Sequence, residues 1–150
     1  MPKPSDPAKN NYMFSDDMKF LQKVVVFHPT EEKILILKRA MDSYSRPGDW
    51  DFPGGNVLYG ELHDDSIRRE VKEETGLELE TYKPIQVITR YNEQTAIYYL
   101  FITYRARAST SEVVISHEHT EYKWVSFDEF AALNPIDFMK ETAMAALHNL

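Results

Sequence analysis

At 150 residues, with 43% hydrophobic and 13% aromatic content, the chain has the size and make-up of one folded domain, which excludes a disordered or low-complexity protein. The lack of cysteine excludes a disulfide framework and a thiolate zinc site, and a net charge of −7 argues against nucleic acid as a partner. No apolar run approaches the ~18 residues that cross a bilayer and no apolar signal core opens the chain, so we expect a cytoplasmic protein with no membrane partner.

Residues 1–17 are polar and carry Pro2, Pro4 and Pro7, which predicts a flexible arm ahead of a domain over 18–150. Phe20 to Phe27 is rich in β-branched residues and stops at His28-Pro29, and Ile34 to Leu37 repeats the pattern after a charged turn. Both segments are apolar at successive positions, as expected of strands covered on both faces. After a loop over 41–49, Trp50 to Phe52 runs extended into Pro53-Gly54-Gly55. A helix is predicted from Leu62 to Thr75, with Gly76 placed to end it in the left-handed conformation. Glu78 to Tyr91, Gln94 to Arg107, Val113 to Ile115 and Tyr122 to Val125 read as further extended pieces. Ser126 and Glu129 then form a capping box, with Val125 and Phe130 at the spacing of a hydrophobic staple. A last helix after Asn134-Pro135 should bury Ile136, Met139, Ala143 and Leu147. One α/β domain is expected.

The 62–75 helix carries more acid than folding asks for. On a helical wheel with Ile67 at zero and steps of ~100°, Glu74 falls near −20°, Glu70 near −60° and Glu73 near −120°. Glu74 thus takes an inward position beside Ile67 and Val71, where a core helix would use a leucine. A buried carboxylate left unpaired costs several kcal/mol, so it must be neutralised, paired or coordinated. Arg69 can pair with Glu73 four residues on, but one guanidinium cannot balance three carboxylates. A hard divalent cation can, and Mg2+ takes carboxylate and phosphate oxygens together. Gly54 and Gly55 allow close approach of backbone to such a ligand, and Glu61 adds an acid just before the helix.

Gly55, Glu61, Arg69, Glu70, Val71, Glu73, Glu74, Gly76 and Leu77 together fill the pattern G-x5-E-x7-R-E-U-x-E-E-x-G-U, where U is a bulky aliphatic. This resembles the Nudix box at every specified position, and the order of elements over residues 20–150 is also similar to a Nudix domain. The resemblance implies an α/β/α sandwich with a mixed sheet between helices. It implies a Mg2+-dependent hydrolase, with Mn2+ as a substitute, that splits a diphosphate bond in a nucleoside diphosphate linked to another group. By the same resemblance Glu70, Glu73, Glu74 and the carbonyl of Gly55 (or Gly54) hold metal, and Arg69 orients a catalytic glutamate. The base is Glu70, or an acid of a later loop, Glu118 or Glu121. The chain departs from many members at Leu58, where they carry a glutamate.

Outside the box, Arg39 is a candidate phosphate contact, with pairing to a carboxylate as the competing role. Trp50 and Phe52 are candidates for stacking on a base, with core packing as the competing role. Glu61 joins Arg39 and Trp50 as a candidate substrate contact. His117 and His119 fall on one side of an extended segment, but without a third nitrogen or sulfur ligand they make no zinc site. The expected partner is a nucleotide-derived small molecule: a nucleoside triphosphate, a nucleoside diphosphate sugar or a dinucleoside polyphosphate, with a homodimer compatible. Residues 85–95 lack the proline that marks many ADP-ribose-selective members. Prenyl diphosphate isomerisation on this scaffold usually needs a cysteine that the chain lacks. A catalytically silent nucleotide sensor is the other alternative.

Overall fold

A computed structural model describes residues 17–148; the arm expected over 1–17 lies outside the described residues except for Asp17. The chain runs β1 (Met18–Phe27), β2 (Ile34–Arg39), β3 (Trp50–Asp51), β4 (Gly54–Asn56), α1 (His63–Thr75), β5 (Leu79–Asn92), β6 (Ile97–Ala108), β7 (His119–Val125), α2 (Phe127–Ala132) and α3 (Asp137–His148). The strands form one mixed sheet in the order β3-β2-β1-β6-β5, with β4 on β1 and β7 on β2. The long β1–β6 pair is parallel, from Met18 opposite Tyr98 to Phe27 opposite Arg107; the other pairings are antiparallel.

The two-sided apolar pattern of β1 and β2 does what it predicts. Val24, Val26, Leu35 and Leu37, with Tyr104 of β6, pack against Ile67 and Val71 of α1. Val25, Phe27, Ile34 and Ile36 face the other way, against Phe130 of α2 and Met139, Ala143 and Ala146 of α3. Each fully buried aliphatic chain contributes about 1.5–3 kcal/mol. This is the α/β/α sandwich that the box implied.

Helix α1 is held by Ile67 and Val71, one turn apart on the buried face. Asp64 and Asp65 favour its first turn and Lys72 its last, and Gly76 ends it in the left-handed region at φ 72°. Helix α2 has the expected capping box: Ser126 accepts from the Glu129 N–H and Glu129 accepts from the Ser126 N–H. Two expectations fail. Val113 to Ile115 forms no strand: the Val114 N–H donates to the carbonyl of Thr75, while Val113 and Ile115 pack on the core. Ile136 lies exposed ahead of α3, whose buried face is Met139, Thr142, Ala143 and Ala146, with Leu147 half-buried. No helix among the described residues is long and apolar enough to cross a membrane.

Candidate active site

The site is built where β4, α1 and the start of β7 meet. Gly54 and Gly55 lie opposite Lys23 and Gln22 of β1. Gly54 has φ 138°, and a Cβ there would stand 2.1 Å from the Gln22 carbonyl oxygen, so this strand contact requires glycine. At Gly55 the constraint comes from the site itself, because a Cβ would fall 2.9 Å from the Glu70 carboxyl.

Helix α1 presents its acids as the wheel predicts. Glu74 is 4% exposed, Glu70 is half-buried and Glu73 is exposed. Glu74 Oε1 accepts from the Gly54 N–H at 3.2 Å. Burial, reinforced by neighbouring Glu70, outweighs the pull of Lys23 and raises the Glu74 carboxyl to about 9. At neutral pH the group therefore keeps its proton unless a cation displaces it. The donor set fits a divalent ion on that ground: a buried carboxyl, a half-buried one beside it and a backbone approach stripped of side chain.

Arg69 is the clamp of the box. Its Nε and Nη2 donate to the two oxygens of Glu61 at 2.7 and 3.2 Å. Its remaining bonds reach Glu70 Oε1 and Glu73 Oε2, both at 3.1 Å. The Arg69 bonds hold Glu61 down at about 2, with the Leu58 N–H assisting at 3.1 Å. Glu61, expected to touch substrate, is thus engaged in fixing Arg69. Leu58, the departure from the family pattern, takes part through its backbone alone.

Arg39 donates to Asp51 Oδ2 at 2.9 Å, to Ser43 Oγ at 2.8 Å and to the Ser45 carbonyl at 2.7 Å. Lys23 and Arg46 reach the same Asp51 oxygen at 3.0 and 3.2 Å. Burial alone would raise Asp51, but these cations overcome it and keep the carboxyl below its ordinary value. Three cations thus surround one buried carboxylate, so the charge immediately around Asp51 is positive although the chain as a whole is acidic. Trp50 is half-buried, with Lys38 and Lys123 over its ring at 5.8 and 5.2 Å from the centroid. Phe52 is fully buried and packs on Phe130, so of its two expected roles the structure gives it the core.

Of the later-loop acids, Glu118 is brought to the box and Glu121 is not. Glu121 extends from β7 to Lys38 at 3.8 Å. Glu118, whose carbonyl accepts from the Ala40 N–H, groups with Glu74 and with a residue that sequence reasoning set aside, His119. One ligand atom from each lies within 4.8 Å of the other two, and His119 Nε2 is 3.9 Å from Glu74 Oε2. The histidine is brought there by the β2–β7 register, which sets it opposite Arg39 just past a bulge. Its sequence signal was only two histidines flanking an acid, because the other member of the group, Glu74, lies on α1. An open cleft of about 430 Å3, lined by Arg39, Ser43, Tyr44, Glu118 and His119 among others, adjoins this group. Its size is that of a small-molecule site.

Comparison with known proteins agrees with this geometry. A family described as NUDIX domain matches residues 19–146. The chain is 29% identical over 119 residues to a nucleoside triphosphatase NudI of Enterobacter sp. (strain 638), covering 73% of this chain and 82% of that protein. It is 29% identical over 118 residues to an 8-oxo-dGTP diphosphatase of Buchnera aphidicola subsp. Schizaphis graminum, covering 78% and 85%. The fold matches the crystal structure of a MutT protein from Methanosarcina mazei Go1 with TM-score 0.76 and 23% identity, over 91% of this chain and 99% of that one. The intact box, the sandwich that carries it and the match along nearly the whole described chain lead to one conclusion: this protein belongs to the Nudix family of hydrolases.

Proposed function

We propose that the chain is a divalent-metal-dependent pyrophosphohydrolase of nucleoside triphosphates, in which water attacks a phosphorus of the diphosphate. The observation that carries this reading is the buried Glu74 carboxyl, raised to about 9 and set beside Glu70 and the Gly54-Gly55 backbone. An acid so placed is costly unless a cation meets it. Glu70, Glu73, Glu74 and the Gly55 carbonyl would hold Mg2+ or Mn2+. The ion supplies charge neutralisation on the diphosphate oxygens, the main requirement of phosphoryl chemistry.

The protein's own groups do the rest. Arg69 fixes the orientation of the Glu70 carboxylate through Oε1. The surplus of Lys23, Arg39 and Arg46 over Asp51 draws the anionic substrate to the box. Glu118, exposed and tethered through its backbone, is the acid of the later loops able to meet the metal group with one oxygen and take the proton of the attacking water with the other. The adjoining cleft has room for the nucleoside. The triphosphate class is favoured over nucleotide sugars because two relatives of comparable length act, by their names, on nucleoside triphosphates.

The test is a panel of nucleoside triphosphates, nucleoside diphosphate sugars and dinucleoside polyphosphates with Mg2+ or Mn2+, read by product identity. A nucleoside monophosphate and pyrophosphate released from a triphosphate are expected. Binding without turnover across the panel would mean a nucleotide sensor instead.

A further inference from the structure

We propose that His119 supplies a ring nitrogen to the metal centre beside Glu74 and Glu118, so that this corner of the site takes a borderline transition ion (Mn2+, Co2+ or Zn2+) in preference to Mg2+. The inference rests on the metal-dependent reading above and adds to it a ligand that the box does not contain.

His119 is 7% exposed, and its ring makes no hydrogen bond among the described residues. Nδ1 is enclosed without a partner. Nε2 stands 3.9 Å from Glu74 Oε2, beyond hydrogen-bond reach. A buried imidazole of structural purpose nearly always has at least one nitrogen satisfied, and leaving a buried polar group unmet costs about 1–3 kcal/mol. The enclosed Nδ1 belongs to a ring whose other nitrogen faces the buried carboxyl of Glu74.

The geometry allows closure on one ion. Two ligands each about 2.1 Å from a metal can be no more than about 4.2 Å apart. The His119–Glu74 separation of 3.9 Å already meets that limit. The full group spans up to 4.8 Å, and the exposed Glu118 is free to make up the difference. One imidazole and two carboxylates form a mixed nitrogen and oxygen set. Mg2+ strongly prefers oxygen ligands, whereas an imidazole adds affinity for first-row transition ions.

The test uses the full chain loaded with Mn2+ and pulsed electron paramagnetic resonance, which reads nitrogen coupled to the ion. A 14N modulation is expected in the unmodified protein, kept in His117→Gln and His63→Gln and lost in His119→Gln. In parallel, His119→Gln should bind Co2+ at least ~10-fold more weakly while Mg2+ binding changes little. Mn2+ bound and turnover intact without 14N coupling would overturn the His119 ligand and leave the hydrolase reading standing. Failure to bind Mn2+ together with no turnover would overturn both. If His119→Gln does not fold, coupling that survives both other histidine substitutions supports the assignment, and coupling lost with either of them refutes it.

Discussion

Replacing Glu74 with Gln separates the role of this carboxyl in the fold from its role in the site. Without metal the folded carboxyl titrates at about 9, against 4.5 for the ordinary group. Between those values the folded chain holds a proton that the unfolded chain has released, so stability falls as pH rises through this window. At pH 7.5 the accumulated penalty is up to roughly 4 kcal/mol, at about 1.4 kcal/mol per pH unit. Glutamine has nearly the shape of the protonated acid and can still accept from the Gly54 N–H. The metal-free variant should therefore unfold at higher urea than the parent at pH 7.5, and the two should converge towards pH 4.5. Saturating Mn2+ narrows the gap. A ligand at 100 times its Kd adds about 2.7 kcal/mol to the parent and should add little to the variant. Turnover should fall at least ~100-fold. A metal-free variant less stable than the parent at pH 7.5, or one stabilised by Mn2+ to the same degree, would refute the reasoning.

Further outcomes follow from the same geometry. Gly55→Ala pushes a methyl into the Glu70 carboxyl and should lower kcat/KM by about 10–100-fold with little change in urea midpoint. Gly54→Ala meets the Gln22 carbonyl and a strained φ, so it should instead cost on the order of 2–3 kcal/mol in urea unfolding. Asp51→Asn leaves Lys23, Arg39 and Arg46 without their buried counter-charge and should cost about 3–5 kcal/mol, read by the same urea unfolding. Arg69→Lys cannot span Glu61, Glu70 and Glu73 at once, so kcat should drop about 10-fold or more in steady-state assays while the fold is kept.

The parts of the molecule that could be read from sequence are those whose information is local. The doubled apolar pattern of β1 and β2 announced a sheet covered on both faces, and helical spacing alone carried Glu74 to the interior. Gly76 and the Ser126 box marked helix ends for the same reason. Features that depend on which strands become neighbours were not legible. His119 meets Glu74 only because β7 pairs with β2, and Arg39, Lys23 and Arg46 share Asp51 only once three strands and a loop converge. Val113 to Ile115 misled because an apolar run does not say whether a partner strand is available. Ile136 misled because the helix starts one residue later and turns its buried face from Met139 onward.

The parallel pairing of β1 with β6 also sets a timetable for the chain during synthesis. Phe27 emerges from the ribosome roughly 80 residues before its partner Arg107, a delay of about 4–16 s at ordinary elongation rates. Through that interval the run Val24-Val25-Val26-Phe27 lacks its β6 neighbour, although β2 can close on its far end through the Phe27–Ile34 contact and Pro53 can accept from the Val24 N–H. Long-range parallel pairing is also slow to form. The strand that ends at the centre of the sandwich is therefore the segment with the longest exposure to self-association. Slowed translation between β2 and β6 should show first as aggregation of nascent chains rather than as loss of activity in those that finish.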